Sequence, residues 1–239
     1  MPLALLTGGG SAIGEGIARC LTGRGWTVAV TDINLDLARA SAAAAGGAPH
    51  ALALALDATD GTRVKEAVRE LTATHGHIDA LVNVAGGMRG LGIPKTDFAD
   101  MTPELWTRIL DVNLQSVLHC AHAVLPAMIA ARRGAIVSIA ASRGLRGGPQ
   151  ASIYSAAKAA IIVFSQSLAQ EVGPLGIRVN TIAPGNAQAR WKTSAASTSP
   201  LGRETSAEDV GKAVAFLLSE DASHITGICL DVSGGTTLH

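Results

Sequence analysis

Apolar runs of strand length alternate with helix-length segments along the 239 residues of this chain. Leu3–Leu6, Thr27–Thr31, Ala51–Leu56, Ala80–Val84, Ala135–Ile139, Arg178–Ile182 and Ile228–Val232 read as seven strands. They lack strict polar alternation, as expected where both faces of a parallel sheet are covered. Ala12–Thr22, Arg63–Thr74, Pro103–Ala131, Ser152–Val172 and Ala207–Ser219 read as helices between them. Seven β–α repeats of this kind predict an α/β fold with a doubly wound parallel seven-stranded sheet. Gly86–Asp100 and Gly185–Arg203 break the rhythm, and both follow strand ends, where ligands bind in such sheets. The Ala-rich stretch Ala40–Ala48 reads as a helix end and loop. No linker or tandem repeat is visible, so a single domain over residues 1–239 is expected.

Composition changes this picture little, but it removes some function classes. Hydrophobic residues make up 48% of the chain, enough for one large core, and the formal net charge is zero. Neutrality gives no electrostatic case for nucleic acid or an anionic membrane as partner. No apolar run is expected to reach membrane-spanning length, and the first residues lack the basic segment of a signal peptide. Cys20, Cys120 and Cys229 are far apart and show no metal-ligand spacing. They read as reduced core thiols in a cytoplasmic protein, with no metal site.

Candidate chemistry centres on Tyr154, the only tyrosine, with Lys158 four residues later. On a helix that step puts both side chains on one face. A lysine ammonium there is expected to lower the phenol pKa and make it a general acid or base near neutral pH. Thr7-Gly8-Gly9-Gly10-Ser11-Ala12-Ile13-Gly14 joins the first strand to the first helix. Such glycines permit a tight turn and bring backbone amides up to a pyrophosphate at a helix N-terminus. Asp32 ends the second strand eighteen residues after Gly14. A carboxylate there accepts hydrogen bonds from ribose hydroxyls and repels a 2′-phosphate, favouring NAD over NADP. The other reading of Asp32 is a helix cap, although Asn34 or Asp36 could cap instead.

Together these residues resemble the short-chain dehydrogenase/reductase family, over essentially the whole chain. Its glycine motif matches at Thr7, Gly8 and Gly14, with Ala12 at the middle glycine. Asn83-Val84-Ala85-Gly86 matches the family's Asn-Asn-Ala-Gly with one change. Pro184-Gly185, Pro200-Leu201-Gly202-Arg203, Ile225-Thr226-Gly227 and Val232-Ser233-Gly234-Gly235 have the family's spacing. The resemblance implies a Rossmann-type fold and hydride transfer between nicotinamide and a secondary alcohol or ketone. It implies Tyr154 as the acid/base, Lys158 as its partner and ribose ligand, and Asn113 as the anchor of a relay water. It also implies a cofactor site. Thr7, Gly8, Gly10, Ser11, Ala12, Ile13 and Gly14 would meet the pyrophosphate, and Asp32 and Ile33 the adenosine ribose. Asp57 and Ala58 would meet the adenine. Asn83, Ala85, Gly86, Tyr154, Lys158, Pro184, Gly185 and Ala187 would surround the nicotinamide half. A small-molecule substrate and a homotetramer follow from the same likeness, with Pro103–Ala131 and Ser152–Val172 packing across a dyad.

The chain departs from the family at Ala141, where a serine belongs thirteen residues before the tyrosine. Three explanations stand: Ser142 takes over, the alanine is an introduced change, or the chain is a catalytically impaired nucleotide-binding member. An NADP-dependent ketoreductase of the same fold is the other alternative. Ala189 replaces a frequent threonine, and Arg190, Trp191 and Lys192 punctuate a short lid, where Trp191 is expected to cover substrate. Arg89, Arg143 and Arg146 belong to loops at the strand C-terminal edge, from which they could attract a carboxylate or an acyl-carrier substrate.

Overall fold

The computed structural model describes residues 1–88, 92–185 and 199–237. The elements run β1 (Leu3–Thr7), α1 (Ala12–Thr22), β2 (Thr27–Asp32), α2 (Leu35–Ala44), β3 (Ala51–Ala55), α3 (Gly61–His75) and β4 (Ala80–Asn83). They continue with α4 (Pro103–Leu110), α5 (Ser116–Ala131), β5 (Gly134–Ile139), α6 (Ser142–Arg146), α7 (Ser152–Val172), β6 (Ile177–Pro184), α8 (Ala207–Leu218) and β7 (Cys229–Val232). All neighbouring strands pair in parallel, in the order β3-β2-β1-β4-β5-β6-β7. The order reverses between β1 and β4, the switch point where doubly wound sheets bind ligands.

Side-chain alternation divides the core between the two faces of the sheet. Ala4, Leu6, Val28, Val30, Val82 and Val137 pack against α1, α2 and α8 through Ile17, Leu21, Ala38 and Val214. Leu3, Leu5, Ala29, Leu81, Ile136 and Val179 face α3, α5 and α7 through Val68, Val124 and Leu168. Covered on both faces, β1 is buried at every position, which explains its unbroken apolar run.

Polar side chains cap helix starts. Ser11 accepts from the Gly14 amide on α1, and Asn34 accepts from Asp36 and Leu37 on α2, so Asp32 is not the cap. Three expectations are amended. The short helix α6 breaks what reads as loop. Among the described residues no helix follows β7, so the seventh β–α repeat is incomplete. The run 103–131 is long and apolar enough, by length and composition, to cross a bilayer. Here its α5 part lies against the sheet, with Val117, Cys120, Ala121, Val124 and Met128 buried in the second core cluster. That run is not uniform either: Asp111–Gln115 between α4 and α5 is a π turn, an irregularity frequent at functional sites.

Candidate active site

The glycine turn lies at the switch point because only glycine fits there. Gly8 has a φ of +62°, and an added Cβ would come within 2.6 Å of the Ala85 nitrogen. Thr7 is buried, and its hydroxyl accepts from the Val84 and Ala85 amides at 3.3 and 3.4 Å, tying the β1 turn to the β4 turn. Asp32 closes the outer side. Its Oδ2 accepts from the Gly10 amide at 3.0 Å and its Oδ1 from the Asn34 amide at 3.0 Å. Each carboxylate oxygen keeps a further lone pair. A Cβ at Gly10 would lie 2.9 Å from that Oδ2, so the turn and the carboxylate fit only without a side chain. Ile33 beside it is 73% exposed. Asp57 Oδ1 accepts from the amide and hydroxyl of Thr59, at 2.9 and 2.7 Å, while Ala58 is buried.

The turn after β4 is clamped from the π turn. Asn113 is fully buried; its Oδ1 accepts from the Gly87 amide at 2.7 Å. Its Nδ2 donates to the Gly87 carbonyl at 3.1 Å and to the Ile109 carbonyl at 3.0 Å. Both amide protons are therefore committed to backbone, and the side chain clamps this peptide. Asn83, at the end of β4, donates from Nδ2 to Ser138 Oγ of β5 at 3.0 Å.

Tyr154 and Lys158 stand one turn apart on α7, with the Lys158 Nζ 5.9 Å from the phenol ring centre. Lys158 is 3% exposed and donates to the Ile139 carbonyl at 2.8 Å. Burial pulls its pKa down from 10.5 to about 8. The phenol is half-buried against an apolar cluster built on Ile93, Met101 and Ile109, and burial raises its pKa. The opposing charge is Arg143 on α6, not Lys158 as the sequence spacing led one to expect. Lys158 approaches the ring face, and one of its N–H groups donates to the end of β5. Gly86 completes the group: a Cβ there would lie 2.8 Å from Asn113 Oδ1 and 3.1 Å from Lys158 Nζ. Asn113, Gly86 and Lys158 are thus mutually packed beneath Tyr154's helix turn.

Ala141 is extended (φ −166°, ψ 156°), and Ser142 is buried as the first residue of α6. The strand pairing has already ended, with the Ala140 amide donating to the Ile182 carbonyl at 2.7 Å. The parity argument of a strand therefore does not separate residues 141 and 142; a helix start does. At the far side, Gly185 donates to the Val232 carbonyl at 3.2 Å and packs on Ser233, following Pro184 at the end of β6. Ala187, Ala189, Arg190, Trp191, Lys192 and Arg89 lie outside the described residues. Sequence reasoning missed the Gly87–Asn113 clamp and the charge of Arg143 acting on Tyr154. A glycine pair after β4 was the one signal for the clamp, and nothing in the linear pattern marks the second.

A dinucleotide needs open amides and close backbone approach at its pyrophosphate. Ser11 Oγ serves Gly14, which leaves the first-turn amides of Ala12 and Ile13 without a partner among the described residues. With the bare Gly8–Gly10 turn and Asp32 alongside, these residues fit such a cofactor. Comparison with known proteins agrees. A family model described as enoyl-(acyl carrier protein) reductase matches residues 8–237. The 3-oxoacyl-[acyl-carrier-protein] reductase FabG of Chlamydia muridarum is 37% identical over 247 residues, covering 97% of this chain and 96% of the relative.

The chain belongs to the short-chain dehydrogenase/reductase family.

This short-chain dehydrogenase/reductase is also similar to solved structures. A 3-ketoacyl-(acyl-carrier-protein) reductase from Brucella melitensis complexed with NADH superposes with a TM-score of 0.90 at 30% identity, covering 99% of this chain and 98% of that one. A chain titled ribose-5-phosphate isomerase from Brucella melitensis 16M reaches 0.88 at 34% identity, covering 98% and 91%. One fold carries both titles, so the particular activity must be argued from the site. The family assignment makes the protein an NAD(P)-dependent oxidoreductase acting on a hydroxyl or keto carbon. Among the described residues no cluster of potential metal ligands occurs.

Proposed function

We propose that this enzyme moves hydride between NAD and a secondary alcohol or ketone, with Tyr154 as proton donor and acceptor. The observation that carries the reading is the packing of Lys158 and Asn113 around Gly86, one helical turn below Tyr154, at the C-terminal edge of the sheet. When bound, the nicotinamide ring supplies or takes up the hydride. Tyr154 Oη gives or takes the hydroxyl proton. Lys158, with a pKa of about 8, is mostly charged at neutral pH and can donate to ribose hydroxyls while it holds the end of β5. Asn113 fixes the floor through Gly87. Ala141 offers no hydrogen-bond donor at the family serine's position, a loss of about 3 kcal/mol of transition-state stabilisation.

The substrate class we favour is a 3-oxoacyl thioester, reduced at its keto group, because the curated relatives are named for that reaction. NAD is favoured over NADP because the Asp32 carboxylate would face a 2′-phosphate. The NADH complex of the Brucella relative supports the same choice. Ala141 motivates a second reading, an impaired nucleotide-binding family member. We treat residues 1–239 as one domain, working in the cytoplasm as a homotetramer. Val163 on α7, 60% exposed among small neighbours such as Ala156, supports a subunit contact there.

Consumption of NADH and NADPH with a panel of ketones, including a 3-oxoacyl thioester, tests the proposal. NADH-driven reduction of the thioester is expected. Preference for NADPH would overturn the cofactor assignment. Absence of turnover on every ketone, in the native chain and in Ala141→Ser alike, would favour the impaired reading.

A further inference from the structure

We propose that Gly10 is a specificity-determining residue that acts through Asp32: the bare third glycine of the turn serves the choice between NAD and NADP, not the pyrophosphate. The inference rests on the reading of Asp32 as the ribose ligand.

The three glycines of the turn answer to three different neighbours. Gly8 is required by its φ of +62° and by the β4 turn beside it. Gly9 lies against the sheet, where a Cβ would come within 2.5 Å of Val30 Cγ1. Gly10 is buried, and its φ lies outside the left-handed region, so its backbone conformation does not demand a glycine. What excludes a side chain there is space. A Cβ would lie 2.6 Å from Leu37 Cβ, 2.9 Å from Asp32 Oδ2 and 3.0 Å from Asp32 Cγ. The amides divide in a similar way. Gly9 donates to the Thr31 carbonyl at 2.8 Å and Ser11 to the Gly8 carbonyl at 3.3 Å, both backbone bonds. The Gly10 amide between them donates to a side chain, Asp32 Oδ2, at 3.0 Å.

That bond sets what the carboxylate can do. The Asn34 amide holds Oδ1 at 3.0 Å, so each oxygen has a backbone donor and the half-buried side chain is oriented before any cofactor arrives. Each oxygen keeps a lone pair that can accept from a ribose hydroxyl. A freely turning carboxylate could swing away from a 2′-phosphate. One held at both oxygens cannot do so without giving up an N–H bond. A side chain at residue 10 would push the carboxylate off this seat. The family likeness sets Gly10 at the pyrophosphate, but its amide is committed to Asp32. The first-turn amides of Ala12 and Ile13, which have no partner among the described residues, are left for the phosphates.

Calorimetric titration of NAD and of NADP into the native protein, Gly10→Ala, Asp32→Ala and the double variant gives the ratio of the two Kd values. Any loss at the shared pyrophosphate, or from the Leu37 contact, cancels in that ratio. Gly10→Ala should shrink the preference for NAD by about tenfold or more, the effect of one charge-assisted hydrogen bond. With Asp32→Ala already present, adding Gly10→Ala should leave the ratio within about twofold. Both affinities falling together in Gly10→Ala, with the ratio unchanged, overturns the proposal and returns residue 10 to the pyrophosphate. An equal change of ratio in both backgrounds overturns it as well. If Gly10→Ala does not fold, hydrogen exchange of the Gly10 amide in the cofactor-free protein decides. It should be slower in the native chain than in Asp32→Ala, and equal rates overturn the proposal. Failure of the underlying reading looks different: Asp32→Ala alone would leave the ratio untouched, and the proposal would fall with it.

Discussion

Lys158→Met should erase a specific pH dependence of folding stability. Burial lowers the lysine pKa from 10.5 to about 8, so between those values the unfolded chain binds more protons than the folded one. Stability therefore rises with pH across that window. The contribution is complete above the ordinary lysine pKa and is lost as pH falls through about 8. At 1.36 kcal/mol per unit, the rise amounts to about 3 kcal/mol. Two other groups pull the opposite way at high pH: Tyr154, raised by burial, and Cys120, raised from 9.0 to about 12. They are common to both proteins and cancel in the difference. Methionine has a similar length and suits the apolar surroundings, but it leaves the Ile139 carbonyl without its donor, at about 1–3 kcal/mol. That loss does not depend on pH. Urea unfolding of cofactor-free native and Lys158→Met proteins, in steps from pH 7 to pH 10, gives the test. Over that range, which stops short of the ordinary lysine pKa, the native protein should gain on the variant by about 2.5 kcal/mol, equivalent to several degrees in Tm. A flat difference, or one that falls with pH, would refute the assignment of a buried, charged lysine.

Other perturbations separate the remaining parts. Ala141→Ser should raise turnover roughly a hundredfold if a missing donor is the only defect, with Ser142→Ala nearly silent. The opposite pattern in steady-state kinetics would assign the role to Ser142. Gly86→Ala, at φ +146° against Asn113 and Lys158, should cost about 2–4 kcal/mol in thermal unfolding and depress activity, and a neutral effect would deny the clamp. Asp32→Ala should weaken NAD binding by about tenfold, or 1.4 kcal/mol, and narrow its advantage over NADP in calorimetry. Equal or tighter NADP binding by the native protein would contradict the role given to Asp32.

The fold was legible because its signals are local. Unbroken apolar runs such as Leu3–Leu6 report strands buried on both faces, and Asn34 reports the start of α2. The glycine turn and Asp32 were legible for the same reason: an adjacent strand end and helix start bring them together. What escaped is set by contacts between distant segments. The Gly87–Asn113 clamp joins residues 26 apart and needs a π turn that no periodicity announces. Lys158 seemed the natural partner for the phenol because spacing on one helix was visible. The competing charge, Arg143, arrives on a helix of five residues, too short to leave a periodic trace. Ala141 was identified by its distance from Tyr154, but its backbone could not be deduced, since the strand gives way to α6 within two residues.

The most direct test of the central claim is turnover by Tyr154→Phe, measured beside its NAD affinity. This substitution keeps the ring packed against Ile93, Met101 and Ile109 and removes only the hydroxyl. The account predicts that NAD binding survives and that turnover falls by about 10²–10⁴-fold, the range of a positioned acid or base. A Tyr154→Phe protein that binds NAD and retains most of its activity would contradict it.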